Sequence, residues 1–361
     1  MPTGLNTTPR SSWLKKLAVS VSTSALALGV GIIAAPAAHA DESSLGSAGS
    51  LGSLSLGSSL GSSAPDSTPA HDFDLQSHRG GRGEWTEESG HAFEQSLKLD
   101  VTTLELDIVL AEDNTPVVWH DPSIQEDKCS DTEPATPNDP EFPYVGKLVH
   151  ELNWDQLQTL NCDKKLSGFP DAEPVEGNKL LQLQDVFDIA AADPQVRFNI
   201  ETKIEAENRE DSATPEEFVN TIVSVIQQNN AVDRSAIQSF DWRSLPLAHQ
   251  AAPELDIVAL YDETTWKANS VWIDPINYDD VHGDVVAAAE QLGANVLSPN
   301  FKLVNQQNVQ WAHQRGIQVI PWTVNESDDI NRIIDTGVDG LITDYPTRAT
   351  EILNSRGITI A

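Results

Sequence analysis

From residue 72 onward, short β-branched and aliphatic runs alternate with stretches whose apolar positions recur every three or four residues. The first pattern belongs to strands and the second to amphipathic helices. Strands are predicted over 73–77, 102–108, 196–202, 236–240, 256–260, 294–297, 318–322 and 340–343. Helices are predicted over 87–99, 215–228, 242–250, 281–292, 303–314, 326–335 and 347–354. Such alternation is the mark of parallel βα units, and eight strands suit a closed (β/α)8 TIM barrel better than an open doubly wound sheet. No G-x-G-x-x-G follows the first strand, which counts against a dinucleotide fold. The Pro- and acid-rich stretch 121–180 interrupts the alternation and reads as an insertion after the second strand region.

Residues 1–40 read as an export signal. Arg10, Lys15 and Lys16 precede an apolar run from Leu17 to Ala35, and Ala38-His39-Ala40 supplies the small residues of a cleavage site after Ala40. A membrane anchor is the other reading, but this run is rich in Ala, Ser and Gly and ends directly at that site. Residues 41–70 repeat Ser, Leu and Gly, a composition too poor in buriable surface to order itself, so they form a flexible linker. The folded barrel is then 71–361. No second apolar run approaches the roughly 20 residues of a membrane span, so a secreted protein with no stable membrane insertion after signal cleavage is expected. In such a chain the only two cysteines, Cys129 and Cys162, are most simply a disulfide.

Acidic residues number 55 against 22 basic ones, a formal charge of −33. That field repels nucleic acid and anionic lipid, so no nucleic-acid partner is expected, while divalent cations are drawn to the surface. Polar residues also gather at the C-terminal ends of the predicted strands, the face where (β/α)8 barrels do their chemistry. They are His78 and Arg79, Glu105 and Asp107, Glu201 and Lys203, Ser239, Tyr261, Ser298 and Asn300, Trp322, and Asp344.

Strand residues alternate faces, so Glu105 and Asp107 point into the barrel, about 7 Å apart along the strand. Asn199, Glu201 and Lys203 share the inward face of the next strand. Three carboxylates without a thiol suit a hard divalent cation, Ca²⁺ or Mg²⁺, better than Zn²⁺. A second reading leaves the cation out and makes a buried ion-pair network with Arg79 and Lys203. His78 ends the first strand and His120 follows the extended Val117-Val118-Trp119, with Asp121 placed to orient the ring or cap the turn. Two such histidines suit a general acid and base. Arg79 offers a bidentate fork for a phosphoryl group and Lys203 a point charge.

These residues fall in an ordered set of motifs. His78-Arg79-Gly80, Thr86-Glu87-Glu88-Ser89 with Ala92-Phe93, Glu105-Leu106-Asp107 and Pro116-Val117-Val118-Trp119-His120-Asp121 come first. Ile200-Glu201-Thr202-Lys203, Gln238-Ser239-Phe240, Pro321-Trp322-Thr323-Val324-Asn325 and the run Gly337–Pro346 follow. The set resembles the glycerophosphodiester phosphodiesterase family over nearly all of 72–350. The resemblance implies a barrel that hydrolyses glycerophosphodiesters to glycerol 3-phosphate and an alcohol. It implies His78 and His120 as the acid/base pair, and Glu105, Asp107 and Glu201 as metal ligands. Arg79 and Lys203 become phosphate contacts, and Trp322 the aromatic wall beside the glycerol. The substrate is then a small glycerophosphodiester or a glycerol-phosphate polymer. One position departs: Glu88 stands where the family usually has Asn, and Thr86 with Glu87 and Glu88 reads as a capped helix start. A sphingomyelinase D-like phospholipase D shares the barrel and the two histidines, but the complete later motifs favour the glycerophosphodiesterase. A non-catalytic barrel binding envelope polymers would be expected to lack one of the five histidine and carboxylate positions.

Overall fold

A computed structural model describes residues 73–360, so the export signal, its cleavage site and the linker expected over 1–70 lie outside the described residues. The strands, in chain order, are β1 (Asp74–Ser77), β2 (Thr103–Leu110), β3 (Pro116–Val118), β4 (Leu181–Gln182), β5 (Arg197–Thr202), β6 (Ser235–Ser239), β7 (Asp256–Tyr261), β8 (Val296–Pro299), β9 (Gln318–Val319) and β10 (Gly340–Thr343). The helices are α1 (Gly90–Lys98), α2 (Trp154–Leu157), α3 (Leu183–Ile189), α4 (Pro215–Gln228), α5 (Ser244–Ala251), α6 (Val285–Leu292), α7 (Gln306–Gln314), α8 (Ser327–Ile334) and α9 (Pro346–Ser355).

All strands but β3 and β4 run parallel, in the order β10-β1-β2-β5-β6-β7-β8-β9. Asp339 N donates to Val319 O (3.1 Å) and Ile342 N to Pro321 O (2.9 Å), which joins the two ends and closes the ring. The fold is the (β/α)8 barrel that the alternation predicts. Leu104, Leu106 and Ile108 of β2 and Phe198 and Ile200 of β5 bury against the helix layer. Fully burying one such side chain stabilises by roughly 1.5–3 kcal/mol. The opposite faces of these strands are left for polar residues. Helix α4 shows why the ring holds: Pro215 opens it, Thr214 and Glu217 form a capping box, and Phe218, Ile222 and Ile226 bury one stripe.

Several helices start later than their periodicity predicts. Helix α1 begins at Gly90 rather than 87, because Glu88 sits at φ 53°, in the left-handed region. Ser89 is the cap, its Oγ accepting from Ala92 N at 3.0 Å. Thr86, the expected cap, instead accepts from Val175 N at 3.0 Å. Helix α6 begins at Val285 rather than 281, capped by Asp284 after two residues with positive φ, His282 and Gly283. Helix α7 begins at Gln306 rather than 303, capped by Asn305.

Helix α3 has no counterpart among the predicted helices. Its seven residues give only about two turns of period, although Leu183, Val186 and Phe187 bury one face. It follows β2 only after a long excursion, of which the 121–180 stretch is the greater part. The excursion leaves along β3, antiparallel to β2 (Ile108 beside Val118), and returns along β4, antiparallel to β3. It carries its own apolar cluster around Trp119, Ile124, Tyr144, Val149 and Leu152. Cys129 and Cys162 are joined there as a disulfide.

Candidate active site

The register of β2 against β5 builds the centre. It sets Glu105 beside Asn199 and Asp107 beside Glu201, with their apolar neighbours turned outward. Glu105, Asp107 and Glu201 are all buried, and one oxygen of each lies within 4.8 Å of the others. Beneath them is a layer of amides. Asn199 Nδ2 donates to Gln76 Oε1 (2.8 Å) and to Gln238 Oε1 (2.9 Å), and Gln238 Nε2 donates to Glu105 Oε1 at 2.6 Å. That chain fixes the Glu105 carboxylate from below.

Two cations face the three carboxylates. Arg79 Nε lies 2.9 Å from Asp107 Oδ2, and Arg79 N donates to Glu105 Oε2 at 2.9 Å. Lys203 Nζ donates to Glu201 Oε1 at 2.7 Å and stands 3.8 Å from Asp107 Oδ1. Burial pushes the Glu105 and Glu201 carboxyls up, and the charge of Asp107 adds to both shifts. Burial also works against Asp107, but Lys203 and Arg79 outweigh it and hold that carboxyl well below the usual range. Neither oxygen of Asp107 accepts a hydrogen bond within the protein. Buried acceptor oxygens without a donor, within an incompletely neutralised oxygen cluster, fit a hard divalent cation. The pure ion-pair reading gives those oxygens the charges of Arg79 and Lys203 but leaves both without a hydrogen bond.

Each histidine is held by a carboxylate. His78 Nδ1 lies 2.5 Å from Asp344 Oδ1. Asp344 is itself fixed by Asn325, whose Nδ2 donates to Oδ2 (2.7 Å) and whose Oδ1 accepts from Asp344 N (3.0 Å). His120 Nδ1 lies 3.0 Å from Asp121 Oδ1, the orienting contact expected of Asp121. Lys128 Nζ in turn donates to Asp121 Oδ2 at 2.6 Å. Burial lowers His78 despite the pull of Asp344 in the other direction. Burial, with the positive charges of Lys203 and Arg79, pushes His120 down to about 4. Both rings lie close enough to Asp107 for their charges to act on it.

Glu87 ends on three cations: Arg79 (3.2 Å), Arg82 (3.0 Å) and Lys128 (2.6 Å). Glu88 is not part of a helix start. It is buried, and its Oε1 accepts from Asp107 N at 3.1 Å. Burial, with the Asp107 charge beside it, pushes its carboxyl well above the usual range. The acceptor that an Asn amide would offer at this position is supplied by the Glu88 carboxyl oxygen.

Trp322 is half-buried above the inner apolar plug of Val258, Val296, Ile320 and Ile342. Its Nε1 donates to Ser298 O (3.0 Å), and its ring stands edge-on to Phe240 at 5.3 Å. Not all the polar strand ends reach the mouth. Ser239 bonds Thr202 on the helix side, and Tyr261 packs against Trp266 there. Strand alternation turns both away from the axis, as it turns Ile237 and Ala259. Asp344, Asn325 and Gln238 carry site contacts that the residue chemistry alone did not assign. The signal was their place in the Thr-Asp-x-Pro, Trp-Thr-Val-Asn and Gln-Ser-Phe motifs.

Residues 78–348 match the Glycerophosphoryl diester phosphodiesterase family. A glycerophosphodiester phosphodiesterase of Bacillus subtilis (strain 168) is 25% identical over 286 residues, 74% of this chain and 82% of that one. A solved structure from Silicibacter pomeroyi DSS-3 that carries the same family name superposes with a TM-score of 0.69 at 26% identity, over 81% of this chain and 96% of the other. An Oleispira antarctica phosphodiesterase, solved in complex with the product sn-glycerol-3-phosphate, shares the fold with a TM-score of 0.58 at 17% identity, over 78% and 96% of the two chains.

Proposed function

The chain belongs to the glycerophosphoryl diester phosphodiesterase family, and from that premise we propose how its site cleaves a glycerophosphodiester to glycerol 3-phosphate and an alcohol. The observation that carries the reading is the meeting of three buried carboxylates with two carboxylate-held histidines around Asp107. Glu105, Asp107 and Glu201 are the residues that would hold a divalent cation, Ca²⁺ or Mg²⁺, and such an ion supplies charge stabilisation to phosphoryl oxygens when bound.

The chain's own groups do the rest. Arg79 and Lys203 draw the phosphodiester anion to the mouth and orient it, and Trp322 walls the glycerol. His120, kept neutral by burial and by the cations beside it, takes a proton from the attacking hydroxyl at the nitrogen not facing Asp121. That hydroxyl belongs to water or to the substrate's own glycerol, in the latter case through a cyclic phosphate. His78, whose imidazolium form the Asp344 carboxylate favours, gives a proton to the departing alkoxide. The bound phosphodiester anion adds to the pull of Asp344.

The direct test is a turnover panel of glycerophosphocholine, glycerophosphoethanolamine, glycerophosphoglycerol and lysophosphatidylcholine. Glycerol 3-phosphate is expected from the first three. Turnover of the lysolipid alone, with none of the deacylated diesters cleaved, would replace this reading with a phospholipase D.

Export of the chain is part of the same reading, supported by the Cys129–Cys162 bridge. Protein recovered from the culture medium is expected to begin at Asp41 and to show no free thiol before reduction. Retention of 1–40 on cell-bound protein, or two titratable thiols in the native state, would count against export.

A further inference from the structure

Beside the catalytic centre, under the excursion, an open pocket is walled by Trp85, Trp119 and Phe169. Five cationic side chains line it: Arg82, Lys128, Lys164, Lys165 and Lys179. In a chain with 55 acidic and 22 basic residues, that gathering runs against the overall field.

The five are not equivalent. Arg82 and Lys128 are committed to Glu87, and Lys128 also to Asp121. Lys164, Lys165 and Lys179 have no carboxylate partner among the described residues. Their Nζ atoms donate only to backbone carbonyls, of Glu126 (2.6 Å), Pro170 (2.9 Å) and Thr159 (2.8 Å). An ammonium has three donors, so each keeps two free. Of the acids in the lining, Glu87 is neutralised by three cations, Glu88 is turned to Asp107, and Glu173 is exposed at the rim. The lysine-bearing segment 162–180 is tied at Cys162 to Cys129, next to Lys128.

The aromatic walls could suggest a site for a quaternary ammonium, but two of their faces are already taken. The Arg82 guanidinium lies 4.6 Å from the Phe169 ring and Lys128 Nζ 5.0 Å from the Trp119 ring. A cationic head group would meet those charges at close range. An anion would meet them, and the three free lysines, favourably.

We propose that this pocket receives a second phosphate, carried by the alcohol half of the substrate, so that diesters whose alcohol bears another phosphate are preferred over those with a neutral or cationic alcohol. The proposal rests on the glycerophosphodiesterase reading. It draws on the shared wall: Glu87, in the pocket lining, pairs with Arg79 of the phosphodiester site as well as with Arg82 and Lys128. Apolar ring faces take the carbon skeleton between the two phosphates, and the lysines take the outer one.

The probe is bis(glycerophospho)glycerol, compared with glycerophosphocholine, in the wild type and in the triple variant Lys164→Gln, Lys165→Gln, Lys179→Gln. The wild-type KM should be about tenfold lower for the two-phosphate probe, and the variant should lose about that factor through KM alone, since charge-assisted contacts to solvent-exposed lysines are individually modest. Glycerophosphocholine kinetics should not change. A short glycerol-phosphate oligomer forms the second arm. A lysine-dependent KM for the oligomer as well assigns the pocket to a polymer, and one for the small probe alone assigns it to a deacylated lipid. In the wild type, added salt should raise KM for the two-phosphate probe more than for glycerophosphocholine. Unchanged KM for both phosphate-rich substrates in the variant, or an equal loss on glycerophosphocholine, overturns the proposal. Absence of turnover on every glycerophosphodiester overturns instead the reading beneath it.

Discussion

Removal of either histidine is expected to abolish most turnover while leaving the fold intact, and a change of leaving group should tell the two apart. His78→Ala and His120→Ala should each lower kcat on glycerophosphocholine by about 10²–10⁴-fold, the usual contribution of a positioned acid or base. Both rings sit at the barrel mouth, with side chains 15% and 31% exposed, so truncation opens no core cavity and the thermal midpoint should stay near that of the wild type. If His78 is the acid, its role ends when the leaving group needs no proton. A nitrophenyl ester of glycerol 3-phosphate should therefore restore most of the His78→Ala rate and little of the His120→Ala rate. Asp344→Asn supplies the control for positioning. It removes the carboxylate 2.5 Å from His78 but keeps the ring, so it should cost less than His78→Ala, and its cost should also vanish on the nitrophenyl substrate. The double histidine variant should lose less than the product of the two single losses, because the pair acts as a unit. Rescue of His120→Ala instead would exchange the roles. Near-normal turnover of either single variant on every substrate would make that histidine structural.

How much of this was legible in the chain follows from how each part is encoded. The barrel was readable because seven of its eight strands repeat one local signal, an apolar run before a helix with a regular stripe; the strand over 102–108 lacks it, since the insertion and the short α3 follow it. The triad was readable for the same reason. Alternation along Leu104–Ile108 and Phe198–Thr202 fixes which residues face in, and parallel neighbours then bring Asp107 to Glu201. Asp121 could be tied to His120 because the two are adjacent. Asp344 could not be tied to His78 by local chemistry, since 266 residues separate them and only closure of the ring between β1 and β10 brings them together. Glu88 misled for a different reason. Two acids before a helix are what a helix dipole favours, and nothing local reveals that the backbone at Glu88 turns left-handed and buries the side chain under Asp107. The lysine pocket was equally hidden. It depends on Lys164, Lys165 and Lys179 folding back against Trp85 and Trp119, a tertiary event in a stretch without secondary-structure period.

The acidic triad leads to the second large effect. Stripping the protein with a chelator, followed by dialysis, should lower turnover by about 10³-fold or more, since several kcal/mol of charge stabilisation are at stake and each 1.36 kcal/mol is tenfold. Ca²⁺ or Mg²⁺ should restore it, and whichever restores more at lower concentration is the fitting ion. Binding can be read without activity. A ligand that binds only the folded state raises the thermal midpoint by mass action, so the stripped protein should melt higher as cation is added. Asp107→Asn should blunt that rise, because it removes the carboxylate whose two oxygens have no hydrogen-bond donor in the fold. The pH dependence has a definite sign. Glu105 and Glu201 are pushed above the usual carboxylate range by burial and then by Asp107, so in the stripped protein they hold protons to higher pH than exposed carboxylates do. A cation must displace those protons, and its affinity should weaken steadily as pH falls from about 8 to about 5. Exposed carboxylates, ionised throughout that range, would give a flat response. If Asp107→Asn keeps the full cation-induced rise in midpoint, or if the stripped enzyme turns over at the wild-type rate, then Arg79 and Lys203 neutralise the triad by themselves, and the carboxylates serve as an ion-pair framework for the phosphate contacts.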